Sequence, residues 1–116
     1  MKTWKDVYKL PLRLDKSIFW VYDDNYNFVF QFEIDDEEYQ EKIMSILNKV
    51  SDSDFDDYYE YKNTLIIDSK CNEIITIRGY GNLTSQGGLN LSDKEACNIQ
   101  DTFGEFIVDR LNERAM

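Results

Sequence analysis

The chain has no histidine. That removes imidazole as general base and metal ligand, and with it the Ser-His-Asp and Cys-His designs. Cysteine is scarce: Cys71 and Cys97 stand 26 positions apart and match no zinc-ligand spacing. A reduced, structural role is expected for both, and neither a metal nor a cofactor is expected. With one proline and five glycines there are few breakers, so most of the chain should be regular structure. No apolar run approaches the roughly 18 residues of a membrane span, and Met1-Lys2-Thr3-Trp4-Lys5 lacks the apolar core of a signal peptide. A cytoplasmic protein without a membrane partner is the expectation. Positive charge is also short. Thirteen Lys and Arg face 23 Asp and Glu, and a net charge of −10 should repel phosphate, so no direct DNA or RNA binding is expected.

What the chain does have is an ample apolar fraction of 42%, with 15% aromatic residues, in 116 residues. That suits a single ordered domain. Its organising stretch is the glycine-rich run Arg78 to Leu91, followed by residues 92–114. Ser92 and Glu95 form a capping box, and Ala96, Ile99, Phe103, Ile107 and Leu111 recur at three- and four-residue steps, which predicts an amphipathic helix. Gly104 inside that helix implies close approach of a strand or another helix.

In residues 1–14, Lys2, Lys5, Lys9 and Arg13 are interleaved with Trp4, Val7, Tyr8, Leu10 and Leu12. An irregular or edge segment is expected there, since Pro11 cannot donate to a central ladder. A basic arm for nucleic acid is the other reading of those charges. Ile18 to Tyr22 and Phe28 to Ile34 alternate as strands joined by the turn Asp23-Asp24-Asn25-Tyr26-Asn27. Asp35 is read as the cap of a helix that ends near Lys49 or Val50. A second hairpin is read in Tyr58 to Asp68 and Glu73 to Arg78, turning at Ser69-Lys70-Cys71-Asn72, with a long helix after it. The expected fold is therefore α+β: a two-layer sandwich, strand-strand-helix repeated twice over residues 17–50 and 58–114, with an antiparallel sheet of about four strands and two helices on one face.

Functional chemistry is thin. Asp52, Asp54 and Asp56 occupy the first, third and fifth positions of a calcium loop, but Asp57 stands where glycine is needed and Asn63 where a glutamate belongs, so an acidic connection is the better account. Gly79 and Gly81 lack the third glycine of a dinucleotide fingerprint, and no phosphate-loop lysine follows. Without catalytic signatures, a non-enzymatic protein is expected. Charge by segment is +3 over residues 1–14, −11 over 15–60 and −2 beyond. The acidic part is interleaved with tyrosines, which supply contact area at low entropic cost. The candidate partner-binding residues are Asp52, Asp54, Asp56, Asp57, Tyr58, Tyr59 and Tyr61, with Tyr80 and Asn82 of the glycine-rich loop as the alternative. Strand alternation sends Tyr59 and Tyr61 to one face and Tyr58 to the other, so not all three can face solvent.

The residues around Trp4-Lys5-Asp6-Val7, Trp20-Val21-Tyr22-Asp23, Arg78-Gly79-Tyr80-Gly81 and Gly87-Gly88-Leu89-Asn90-Leu91-Ser92 resemble those of small uncharacterised acidic proteins of bacterial phages and mobile elements. The resemblance implies an inhibitor of a host-defence nuclease, of anti-CRISPR or anti-restriction type, binding a protein partner with a basic surface. An immunity protein or antitoxin against a basic toxin, and a small-ligand domain using the glycine-rich loop, are the other readings. Oligomeric state is not legible.

Overall fold

The structure is a computed structural model and describes residues 1–113. It is α+β, with one six-stranded antiparallel sheet in the order β1-β2-β3-β6-β5-β4. The strands are β1 (Arg13–Asp15), β2 (Trp20–Tyr22), β3 (Phe28–Phe32), β4 (Glu60–Lys62), β5 (Leu65–Ile67) and β6 (Glu73–Ile77). The helices are α1 (Glu37–Leu47), α2 (Tyr80–Thr84) and α3 (Asp93–Asn112), with a 3-10 turn at Trp4–Asp6. The expected sheet of about four strands and two helices is thus corrected, among the described residues, to six strands and three helices. The stretch from Tyr58 to Asp68, expected as one strand, folds back on itself at Asn63 and Thr64, both at positive φ. β1 adds a strand at the sheet edge after Pro11. The glycine-rich run is not all loop, because α2 interrupts it.

The α1 boundaries also move. Its cap is Asp36, whose carboxylate accepts from Tyr39 N–H at 3.1 Å, and the helix stops at Leu47, with Lys49 at φ 59°. The Ser92 cap stands as expected, accepting from Glu95 N–H at 3.2 Å. Ala96, Ile99, Phe103, Ile107 and Leu111 are all fully buried along α3.

One face of the sheet carries Leu14, Val21, Phe30, Ile77, Ile75, Ile66 and Tyr61, linked by the strand register. α3 lies on this inner face: Phe103 meets Phe30, and Gly104 sits under the Tyr61 ring. Residues 2–8 pack on α3, with Trp4 4.3 Å from Phe106 and its backbone N–H donating to Thr102 Oγ1 at 3.0 Å. Trp4, Tyr8 and Leu12 are buried, so this segment belongs to the body and is not a free arm.

The two halves follow one plan, three strands and then a long helix, with α2 inserted before that helix in the second half, and share details that the sequence pattern did not show. In the β2–β3 turn the Asp23 carboxylate accepts from Asn25 N–H, Asn27 N–H and Asn27 Nδ2. In the β5–β6 turn the Asp68 carboxylate accepts in the same way from Lys70 N–H, Asn72 N–H and Asn72 Nδ2. Tyr26 and Cys71, at φ 62° and 65°, occupy the same turn position. Both edges are closed alike. The Asn48 amide, after α1, pairs with Leu12 N–H and C=O, and the Asn112 amide, ending α3, pairs with Tyr59 N–H and C=O. Each amide mimics one rung of a ladder where an unpaired strand edge would begin.

Candidate functional site

The acidic surface assembles around Tyr39. Helix α1 opens with Asp36, Glu37 and Glu38 because anionic residues are favoured at a helix N-terminus. The β5–β6 turn brings Asp68, Asn72 and Glu73 beside them, so that Asp36, Tyr39, Asp68 and Glu73 line one open cleft with Ile34 and Ile74. Asp36, Glu38, Tyr39, Lys42 and Phe55 line a second. Asp57 reaches the same region by accepting from Ser69 N–H at 3.3 Å and Tyr58 N–H at 2.7 Å.

The sequence-predicted residues divide sharply. Asp52, Asp54 and Asp56 are exposed and Asp57 half-buried. Asp54 is neutralised by Lys42 at 2.7 Å, and that ammonium also sits 4.6 Å over the Phe55 ring. Tyr58 is 58% exposed and available for contact. Tyr59 is not: at 1% exposed it is core, hydrogen-bonded through its hydroxyl to Tyr39 and packed edge-on to Phe55. Tyr61 faces the same way, half-buried against Gly104, and its hydroxyl donates to Asp101 at 2.8 Å. The reading of Tyr59 and Tyr61 as surface contacts is therefore corrected, for the reason strand alternation gives.

Titration follows the same geometry. The Ser69 side chain, then the Tyr58 backbone, holds the Asp57 carboxyl below its ordinary range. Partial desolvation of Asp68 works the other way, yet the Asn72 side chain and the Asn72 and Lys70 N–H groups hold this carboxyl low as well. Burial pushes the Tyr59 hydroxyl up, assisted by Tyr39, and burial followed by Asp101 does the same to Tyr61. Near neutral pH Asp57 and Asp68 are therefore carboxylates beside the uncharged phenols of Tyr39 and Tyr59.

The glycine-rich run spends its backbone on itself. Gly79 adopts φ +95°, and a Cβ added there would run into the Phe28 carbonyl, leaving no room for a side chain. The N–H groups of Leu83, Ser85, Gly88, Leu89, Asn90 and Leu91 all donate within the run. Tyr80 is 41% exposed and donates to Asp93, while the exposed Asn82 donates to Asn27 at 3.0 Å. These two lie apart from the Tyr39 cluster. Cys71 and Cys97 are free, exposed thiols.

Sequence reading missed Asp36, Asp68 and Glu73 as neighbours of Tyr39. The signal for Asp68 was the shared Asp-x-x-x-Asn of the two turns. Among the described residues no helix is long and apolar enough to cross a membrane. The chain matches no family model, no curated protein and no solved structure.

Proposed function

We propose that this is a non-enzymatic binding protein whose acidic, tyrosine-bearing surface docks on the basic surface of a nucleic-acid-handling protein, as an inhibitor of a defence nuclease of anti-CRISPR or anti-restriction type. The observation that carries the reading is the convergence of Asp36, Asp57, Asp68 and Glu73 around Tyr39, from three separate stretches of chain. Carboxylates of one sign on a shared rim repel each other, a cost that a basic partner would relieve while they speed its approach. Exposed Asp52, Asp56 and Tyr58 extend the surface, whereas Asp54 contributes little because Lys42 already pairs with it. No catalytic role is assigned to any residue, and the partner, not the nucleic acid, is the ligand.

The test is capture of the partner from host lysate followed by surface plasmon resonance at low and high salt. Replacing Asp52, Asp56, Asp57 and Glu73 by Asn or Gln should slow association and flatten its salt dependence. Tyr58→Ala should act mainly on dissociation, by about 2 kcal/mol if it sits at the centre of the interface. Rates that stay unchanged at both salts would reduce the surface to a solubilising one.

A further inference from the structure

The sheet's second face carries a different chemistry. Across its middle runs one unbroken row, Asp15–Trp20–Gln31–Thr76–Leu65–Lys62, each residue directly opposite the next in the strand register. The row turns over at its centre, between β3 and β6. Anion at one end answers cation at the other, an aromatic answers an aliphatic side chain, and an amide answers a hydroxyl. Trp20 is 36% exposed and stacks on Phe28 at 4.3 Å, with Tyr22 beside it. The fold does not require this stack, since the repeated half puts Leu65 and Ile67 where Trp20 and Tyr22 stand.

Charge sets this face apart as well. By register and alternation it carries Arg13, Lys62 and Arg78 against Asp15, Glu33, Glu60 and Glu73, with Asp24 paired to Arg13 at 2.9 Å, a small negative excess on a chain of net charge −10. Two copies meeting by any strongly acidic surface repel each other, and this surface is spared that penalty.

We propose that the open sheet face is the docking surface for a second copy of this chain, in a two-fold dimer whose axis runs parallel to the strands between β3 and β6. That operator lays the row of one protomer on the reversed row of its partner. Asp15 then meets Lys62, Trp20 meets Leu65 and Gln31 meets Thr76, each twice, as an isologous interface demands. Trp20 is the apolar anchor, of the residue type that dominates interface energetics. The same axis opposes Glu33 to Glu73, the one like-charged pairing, which salt screens. Glu73 borders both this face and the acidic surface; the dimer otherwise rests on residues outside that surface, and it is read without the partner.

Sedimentation velocity on the full chain, from about 1 μM to about 500 μM, reads the dimer directly. Wild type should shift from monomer to dimer within that range. Trp20→Ala should raise the dissociation constant about thirtyfold or more, as loss of a central aromatic does. Lys62→Glu should also weaken the dimer, and adding Asp15→Lys should restore it, because the reversed charges again meet their opposites. Asp15 also holds the β1–β2 turn by accepting from Ser17. Leu65→Glu therefore serves as a second disrupting variant, with circular dichroism melts certifying each fold. A wild-type chain that sediments as monomer throughout overturns the proposal, and so does a dimer whose affinity Trp20→Ala and Leu65→Glu leave unchanged.

Discussion

Gly104→Ala tests whether Tyr61 is a packed core residue, through the sign of its effect. In an exposed helix the change stabilises by about 0.5 to 1 kcal/mol, because alanine loses less backbone freedom on folding. Here an added Cβ would lie 2.8 Å from Tyr61 Cζ and closer still to Cδ1 and Cε1, where carbon pairs prefer roughly 3.5 to 4.0 Å. Relieving that overlap requires the ring to move, yet its hydroxyl is held by Asp101 and its strand by pairing with Ile66. Overpacking of this kind costs about 1 to 3 kcal/mol, so a net loss of about 1 to 2 kcal/mol is expected. In a Tyr61→Ala background the obstacle is gone, and the same substitution should stabilise. Urea melts of the four proteins give the coupling directly, and it should exceed about 1 kcal/mol. Stabilisation by Gly104→Ala in the wild-type background would refute the packing and return Tyr61 to the surface.

The remaining predictions concern the repeat and the core. Asp23→Ala should cost about 2 to 3 kcal/mol, because its fully buried carboxylate satisfies three backbone N–H groups and an amide, and Asp68→Ala should cost less at its more exposed turn; paired urea melts decide. Asn48→Ala and Asn112→Ala should each cost about 1 to 3 kcal/mol and raise amide exchange at Leu12 and Tyr59 respectively, measured by NMR. Phe103→Ala should cost about 3 to 5 kcal/mol in the same melts, since its ring meets Trp4, Tyr8, Phe30 and Phe106. The depressed Asp57 and Asp68 carboxyls contribute stability that is present above their unfolded pKa of about 3.9 and lost as pH falls through the lower folded values. Thermal melts from pH 6 down to pH 2 should therefore show a loss below about pH 4 that Asp57→Asn and Asp68→Asn together reduce.

The parts of the fold written in periodicity were readable. The α3 stripe, the Ser92 cap and both longer hairpin turns follow from spacing that one element imposes on its own residues. The strand that breaks at Asn63 and Thr64 was not, because a β-branched threonine at positive φ contradicts local preference and is held there by the pairing of Glu60–Lys62 with Leu65–Ile67. The repeat was visible as architecture, while its residue-level match rests on two Asp-x-x-x-Asn turns whose intervening residues share nothing. Tyr58 and Tyr59 could be told apart only as alternatives, since alternation assigns faces without saying which is inside. The gathering of Asp36, Asp57, Asp68 and Glu73 depends on how α1, its following connection and the β5–β6 turn lie together, which no local pattern encodes.

The segment around Trp4 closes over α3. The bond from Trp4 N–H to Thr102 joins residues 98 apart, whereas the strands of each half are hairpins between near neighbours. Hairpins close in about 1 to 10 μs, but a contact spanning nearly the whole sequence must wait for α3 to exist and bear its cost in chain entropy. The N-terminal strap is thus expected to be the last element to fold and the first to open. Truncation at Trp4 should then raise the unfolding rate and leave the folding rate almost untouched, a low φ-value at the very start of the chain.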